Sequence, residues 1–427
     1  MPMLSPALRT VVCFEHQVLT RADFADGRDF DWLLEQSLEL FGIARKSGVW
    51  QIKVGAYLGV IGLPSGATLE VLPKIVRQFG ADTACAMTHQ TRQWLATMLA
   101  RVWGLPVKHV PTLATQQPIA PSAPPDGSDT WLLVWLCHVF SQLWRHYTPN
   151  QRYQTHEHNA HALQGKLLLR EQLRHNVHQP TRFYQHIDQH SADTACNRLV
   201  KTAYQRLLGM VRGANPLPVL PLTWHSLPVA QVAQYDALWQ HAGHELTTLP
   251  AAVARANQRL LHFCHHVLGA AQLGASYGTA WQPTLLFNMN TAFEHWVSAL
   301  LAAKLSANAT LDTKRKYAFA YEADKKPLTI QPDAVLRCGD AVTVLDIKWK
   351  TVATLADVRL ADLYQILAYA DRLAARQAWL VYPTLDTQAV AKQITFSQAR
   401  SPTLWRVPFC VLNENLAIPP DDALLCC

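Results

Sequence analysis

The chain has nine cysteines, yet no two stand at the C-x-x-C spacing of a zinc or redox site. Cys426 and Cys427 are adjacent, a poor geometry for a disulfide, so free thiols in a reducing, cytoplasmic setting are expected. No basic-then-apolar signal opens the sequence. No apolar run is long enough to span a membrane. The most apolar helix, over residues 131–147, is interrupted by His138, Gln142, Arg145 and His146 and reads as core. The phosphate loop G-x-x-x-x-G-K-[ST] is missing as well. Gly165-Lys166 comes closest, but Ala160 and Leu167 break the pattern, so this chain is expected to bind no nucleotide. Strong charge of one sign is also absent. The formal charge of +7 is spread thinly, and residues 281–427 hold 15 Lys and Arg against 14 Asp and Glu. That balance is compatible with nucleic-acid binding without establishing it.

What is present suits an α/β chain, α+β overall, of two or three domains. Residues 1–110 read as a β-rich N-terminal domain and a candidate partner-binding region. Strands are expected over 11–19, 50–54, 57–63 and 68–71, with helices over 30–41 and 87–103. Within it, Leu69-Glu70-Val71-Leu72-Pro73-Lys74-Ile75 reads as a strand ended by proline, with Lys74 as a solvated strand end. Residues 111–129, with five prolines, read as a linker or loop. Residues 130–280 read as mainly helical. They hold His156, His158 and His161, in a polar stretch that looks like a loop, and the pair His265-His266. A zinc cluster would need these ligands to converge, so surface or core histidines are the simpler expectation.

The most informative stretch is residues 329–350, which read as two apolar strands around Gly339-Asp340, a two-residue hairpin turn. With Cys338 facing Ala341, counting outwards sets Asp333 opposite Asp346 on one face of the sheet. Lys348, two residues on, shares that face. Two carboxylates and an ammonium thus converge amid Ile330, Val335, Val342, Val344 and Ile347. A salt-bridged hairpin would satisfy that pattern, and so would carboxylates paired around a divalent cation. Upstream, residues 288–305 read as a helix with Glu294 in its first turn, where Thr291-x-x-Glu294 also fits a capping box. Downstream, residues 355–373 read as a helix with Leu360, Leu363, Leu367 and Ala370 inward and with Gln365 and Tyr369 four apart on one face. Strands are expected over 378–382 and 393–396.

In order, Glu294, Pro332-Asp333, Asp346-Ile347-Lys348 and Gln365-x-x-x-Tyr369 resemble the PD-(D/E)xK nuclease superfamily in its RecB-like branch. The resemblance implies a mixed central sheet flanked by helices over residues 281–427. It implies Mg²⁺, with Mn²⁺ as the alternative ion, held by Asp333, Asp346, the Ile347 carbonyl and Glu294. Lys348 would be catalytic, and Gln365, Tyr369 and Lys350 would support the site or contact DNA. The leucine-rich segment at 69–75, the stretch 161–209 with Gly165-Lys166, Asp193 and Asn197-Arg198, and this C-terminal set together resemble the McrC family. That family supplies the nuclease subunit of McrBC-type modification-dependent restriction systems. The resemblance implies a McrB-like AAA+ GTPase hexamer and double-stranded DNA as partners, and no membrane. A stand-alone RecB-like nuclease of repair or defence and a non-catalytic GTPase regulator are the alternatives. Intact Asp333, Asp346 and Lys348 argue against the second.

Overall fold

The alternating segments of the first third fold as short strands. A computed structural model describes residues 10–36, 41–75, 84–105, 131–211, 217–271, 275–277, 280–282, 284–322, 326–397 and 402–420. The proline-rich stretch 111–129 and the terminal cysteines lie outside these. In chain order the first third holds β1 (Thr10–Phe14), β2 (Val18–Leu19), α1 (Gly27–Glu35), β3 (Phe41–Lys46), β4 (Val49–Val54), β5 (Tyr57–Gly62), β6 (Thr68–Leu72) and α2 (Ala84–Val102). The expected strand at 11–19 is thus broken into β1 and β2, with His16 between them in the left-handed region at φ 60°.

The middle third holds α3 (Trp131–Trp144), β7 (Arg152–Ala160), β8 (Lys166–Leu167), α4 (Leu169–His175), β9 (Phe183–Ser191), α5 (Ala195–Leu208), α6 (Tyr235–Thr247) and α7 (Ala251–Ala271). The last third holds β10 (Ala275–Tyr277), β11 (Ala280–Gln282), β12 (Thr284–Asn288), α8 (Met289–Lys304), β13 (Ala309–Thr313), β14 (Tyr317–Ala320), β15 (Leu328–Ile330), β16 (Ala334–Cys338) and β17 (Ala341–Ile347). It ends with α9 (Leu360–Arg372), β18 (Gln377–Thr384), β19 (Lys392–Ile394), β20 (Thr403–Cys410) and β21 (Asn415–Leu416).

These elements form two compact units, Met1–Leu132 with Ala275–Cys427, and Leu133–Gly274. The first and last thirds, set apart in the sequence reading, therefore share one unit. The link is a four-stranded sheet in the order β1-β6-β5-β12, in which β12 pairs antiparallel with β5. The approach is close at Gly59, at φ 136°, where a Cβ would lie 2.0 Å from the Leu285 carbonyl oxygen. The same unit carries a seven-stranded mixed sheet ordered β13-β16-β17-β18-β20-β19, with β21 beside β20. Its centre, β17-β18-β20, is parallel, and its hairpin side, β13-β16-β17, is antiparallel.

Two helices cover the two faces of β17. Val335, Val342 and Val344 share a buried cluster with Ile366, Tyr369 and Ala370 of α9. Trp349, one residue off that alternation, packs against Phe293 of α8 with ring centroids 5.1 Å apart. Phe293, Trp296, Val297, Leu300 and Leu301 are the buried stripe of α8, at the i, i+3, i+4, i+7 spacing of one helical face. Trp296 stacks on Trp94 of α2 at 5.9 Å and 2°. In α9 the buried positions are Asp362, Ile366, Tyr369 and Ala370. Leu360, expected inward, is 60% exposed, because it opens the helix before that stripe begins.

The other unit is less purely helical than its composition suggests. β7 and β9 pair antiparallel over their whole length, and β8 adds to β9. His156 and His158 thus lie on a strand rather than in a loop. The motif residues at the start of α5 have structural work. Asn197 Nδ2 donates to the Asn150 and Ala192 carbonyls at 2.7 and 2.8 Å, and Tyr147 donates to Asn197 Oδ1 at 2.8 Å. Asp193 pairs with Arg198.

Candidate active site at the β16–β17 hairpin

The turn Gly339-Asp340 forms as its sequence demands, with Gly339 in the left-handed region at φ 55°. Cys338 pairs with Ala341, and the ladder runs back to Ala334 opposite Leu345. The ladder ends there, and Asp333 and Asp346 are the next residue on each side of that last pair. The contact is direct: the Ile347 N–H donates to Asp333 Oδ2 at 2.7 Å. Lys348 continues the strand, its N–H donating to the Val381 carbonyl at 2.9 Å. Its ammonium lies 2.8 Å from Asp346 Oδ1.

Burial governs the electrostatics. Asp346 is 1% exposed, and burial pushes its carboxyl up to about 6, against the pull of Lys348. Burial also raises Asp333, opposed by the Ile347 N–H and Lys348. Burial alone would lower the Lys348 ammonium, but Asp346, with Asp333 and Asp362 behind it, holds it above the ordinary lysine value. Lys348 is therefore charged at neutral pH.

Glu294 joins this group from α8. Asn288, not Thr291, caps the helix: the N–H groups of Asn290 and Thr291 donate to Asn288 Oδ1 at 3.0 and 3.3 Å. Glu294 is thus released from the capping box its spacing suggested. Burial and then the Asp333 charge raise its carboxyl. Lys314 answers it, with Nζ 3.7 Å from Glu294 Oε2. Lys314 holds φ 54°, a conformation costing roughly 1–2 kcal/mol for a residue with a Cβ. Its N–H donates to the Asp333 carbonyl at 3.4 Å.

Gln365 and Tyr369 meet as their spacing requires, the Gln365 amide 2.6 Å from the Tyr369 hydroxyl. Tyr369 lies within electrostatic reach of Asp346, Lys348 and Asp333. Lys350 is held by Asp362, at 2.9 and 2.7 Å from its two oxygens. Sequence reasoning missed Asp362, Lys314 and Tyr382. The Tyr382 hydroxyl is buried within electrostatic reach of Asp362 and Asp346, with no hydrogen-bond partner among the described residues.

The arrangement fits a hard divalent cation. Both Asp346 oxygens are buried and lack an aligned hydrogen-bond donor among the described residues, since the Lys348 contact is an ion pair without hydrogen-bond geometry. Lys348 is the cation already against this buried carboxylate, and the lone pairs it leaves over can take a second one. Among the described residues no three or more His, Cys, Asp and Glu side chains gather closely enough to hold a metal ion by themselves. The carboxylates brought together here, Asp333 and Asp346, suit Mg²⁺, an ion that keeps several waters and takes phosphate oxygens.

No helix among the described residues is long and apolar enough to cross a membrane. No curated protein matches the sequence. A chain of the refined half-complex from the tetradecameric assembly of Thermococcus gammatolerans McrB AAA+ hexamers with bound McrC is 16% identical. The match covers 95% of this chain and 96% of that one with a TM-score of 0.61, a likeness of fold. A chain of the cryo-EM structure of the Thermococcus gammatolerans McrBC complex is 15% identical over 70% of this chain and 88% of that one, with a TM-score of 0.44. The family model described as McrBC 5-methylcytosine restriction system component matches residues 52–383, well over half of the sequence, and the chain belongs to that family.

Proposed function

We propose that this chain is the nuclease subunit of a McrBC-like, GTP-dependent restriction system. It hydrolyses phosphodiester bonds of double-stranded DNA with Mg²⁺, or with Mn²⁺ in its place, and stimulates a McrB-like AAA+ GTPase hexamer. The observation that carries the nuclease reading is the hairpin register, which joins Asp333, Asp346 and Lys348 while leaving both Asp346 oxygens buried without an aligned donor. Family membership and the likeness to a McrB–McrC assembly support the restriction system and the partner.

Asp333, Asp346 and the Ile347 carbonyl would hold the cation, with Glu294 assisting. When bound, the ion polarises the phosphate and lowers the pKa of a coordinated water. Lys348, kept protonated by the carboxylates around it, orients the attacking water and stabilises charge developing on the phosphate. A protonated ammonium has no lone pair to accept the water's proton. Gln365 and Tyr369, bonded to each other, present a polar edge for the DNA backbone. Lys350 supports the strand end through Asp362.

The test is cleavage of a 5-methylcytosine duplex with the cognate GTPase, GTP and Mg²⁺. Asp346→Ala is expected to abolish cutting and to leave stimulation of the GTPase in place. Wild-type cutting by Asp346→Ala would falsify the site assignment. Tight GTP binding by the isolated chain, seen by calorimetry, would count against a partner-borne nucleotide site.

A further inference from the structure

The segment at 69–75 has no part in the chemistry above, yet it ends at that site. Pro73 terminates β6, and Lys74 turns out of the sheet. The Lys74 N–H donates to Glu15 Oε2 at 3.0 Å, and its ammonium donates to the Trp349 carbonyl at 2.8 Å. The Trp349 indole N–H donates to the same Glu15 oxygen at 2.8 Å. These bonds close a ring among residues 15, 74 and 349, across separations of 59, 275 and 334 positions. Lys74 is therefore no solvated strand end.

Trp349 is the residue after Lys348, where β17 has already ended at Ile347. Beyond it the chain turns sharply, the Lys350 N–H donating to the Lys348 carbonyl at 2.8 Å. Lys348 thus sits on a strand end about to leave the sheet. The peptide behind it is gripped on its carbonyl by Lys74. The indole is gripped by Glu15 and wedged between Phe293 and Trp94, with ring centroids 5.1 and 6.3 Å away. Lys348 and Trp349 share a peptide bond, so holding the Trp349 carbonyl and indole restrains the backbone from which Lys348 projects.

We propose that Lys74 and Glu15 are positioning residues for Lys348. By holding Trp349 they keep the Lys348 ammonium at Asp346, so the first third of the chain completes a nuclease site built by the last third. The inference rests on the nuclease reading. A displacement of about 1 Å in a catalytic group can cost on the order of 100-fold in rate, so the ring is expected to act on turnover rather than on DNA binding.

The experiment uses the full-length chain with its GTPase partner, GTP, Mg²⁺ and a 5-methylcytosine duplex, and compares Lys74→Met, Lys74→Arg and Asp346→Asn. Lys74→Met is expected to lower kcat about 10- to 100-fold with KM for DNA unchanged, the range seen when outer-shell partners of a site are lost. Lys74→Arg, which still offers a charged donor to the Trp349 carbonyl, is expected to recover part of that loss. Trp349→Phe keeps an aromatic ring and deletes only the indole donor. It carries the test if Lys74→Met does not fold, and is expected to lower kcat severalfold at constant KM. Wild-type kcat in Lys74→Met, or in Trp349→Phe where the first variant does not fold, overturns the inference. So does a rise in KM alone, which would make Lys74 a DNA contact. Wild-type cutting by Asp346→Asn would instead remove the nuclease reading beneath it.

Discussion

The Ile347 N–H donates to Asp333 Oδ2 at 2.7 Å, tying the two strands of the hairpin where their carboxylates meet. Asp333 therefore has two tasks: it accepts a backbone bond and supplies charge. The substitutions separate them. Asp333→Asn keeps an acceptor for the Ile347 N–H and removes the charge. It is expected to retain stability and lose about 100-fold or more in single-turnover cleavage. Asp333→Ala leaves a backbone donor without a partner and is expected to lose roughly 1–3 kcal/mol of stability as well, read by urea unfolding. Equal cutting by Asp333→Asn and wild type would remove Asp333 from the reaction.

Cation binding should be visible without turnover. Burial raises Asp346 to about 6, so ionising it in the metal-free fold is unfavourable. A carboxyl whose folded pKa is raised stabilises the fold below its unfolded pKa, and that contribution is lost as pH rises through the folded value. In EDTA, the Asp346 contribution is therefore expected to fall from about pH 4 to above about 6. At neutral pH, Mg²⁺ at about 100 times its Kd should add roughly 2.7 kcal/mol and raise Tm. Asp346→Asn should make the slope in that window shallower, leaving the share of Asp333, Glu294 and Glu15, and should remove the Mg²⁺ shift. A Tm indifferent to Mg²⁺ in the wild-type chain would speak against a cation site on this hairpin.

How far the sequence discloses this site depends on the range of each contact. The hairpin is local: a glycine-containing turn and two-residue alternation suffice to set Cys338 against Ala341, and the ladder keeps that register as far as Ala334 and Leu345, one residue short of Asp333 and Asp346. Gln365 and Tyr369 are equally local, one helical turn apart. Glu294 reads from the sequence as one end of a Thr291 capping box, and only the structure shows that Asn288 caps the helix instead. The bonds from Lys74 and Glu15 to Trp349 bridge hundreds of positions and leave no periodic trace. β7 was misread for the opposite reason. His156, Glu157 and His158 are all exposed, so this ribbon lacks the apolar alternation by which strands are recognised.

Glu15 gives the fold a second pH dependence. It is fully buried, and burial pushes its carboxyl up to about 7, against the bonds from Trp349 and Lys74. Its raised value has the same sign as that of Asp346. Stability is present below the unfolded pKa and is lost as pH rises through about 7. The window reaches higher than that of Asp346, so Glu15→Gln, which stays neutral and keeps an acceptor, should flatten the loss between about pH 5 and 8. Thermal melts across that range, in EDTA, make the comparison. A Glu15→Gln profile that tracks wild type would show that this carboxyl does not titrate in the fold.

The last expectation concerns DNA affinity. Phosphate neutralisation supplies most non-specific binding to duplex DNA, and each contact steepens the salt dependence. Residues 281–427 have an excess of one basic residue, 15 minus 14. Around the site, cations are already engaged by carboxylates: Lys314 by Glu294, Arg315 by Asp312, Lys348 by Asp346 and Lys350 by Asp362. A phosphate must compete with those partners. With about two to four contacts left, the slope of log K against log salt should be near −2 to −4, from about 0.9 per phosphate. The isolated chain is therefore expected to bind and cut duplex DNA poorly. A translocating partner ring would compensate by holding DNA near the site at high effective concentration. That arrangement would restrain cutting until a modified target is recognised. The measurement is DNA binding by the purified chain alone, titrated from low to physiological salt with cleavage followed in parallel. Nanomolar affinity at physiological salt with efficient unassisted cutting would sink the expectation and favour a stand-alone nuclease.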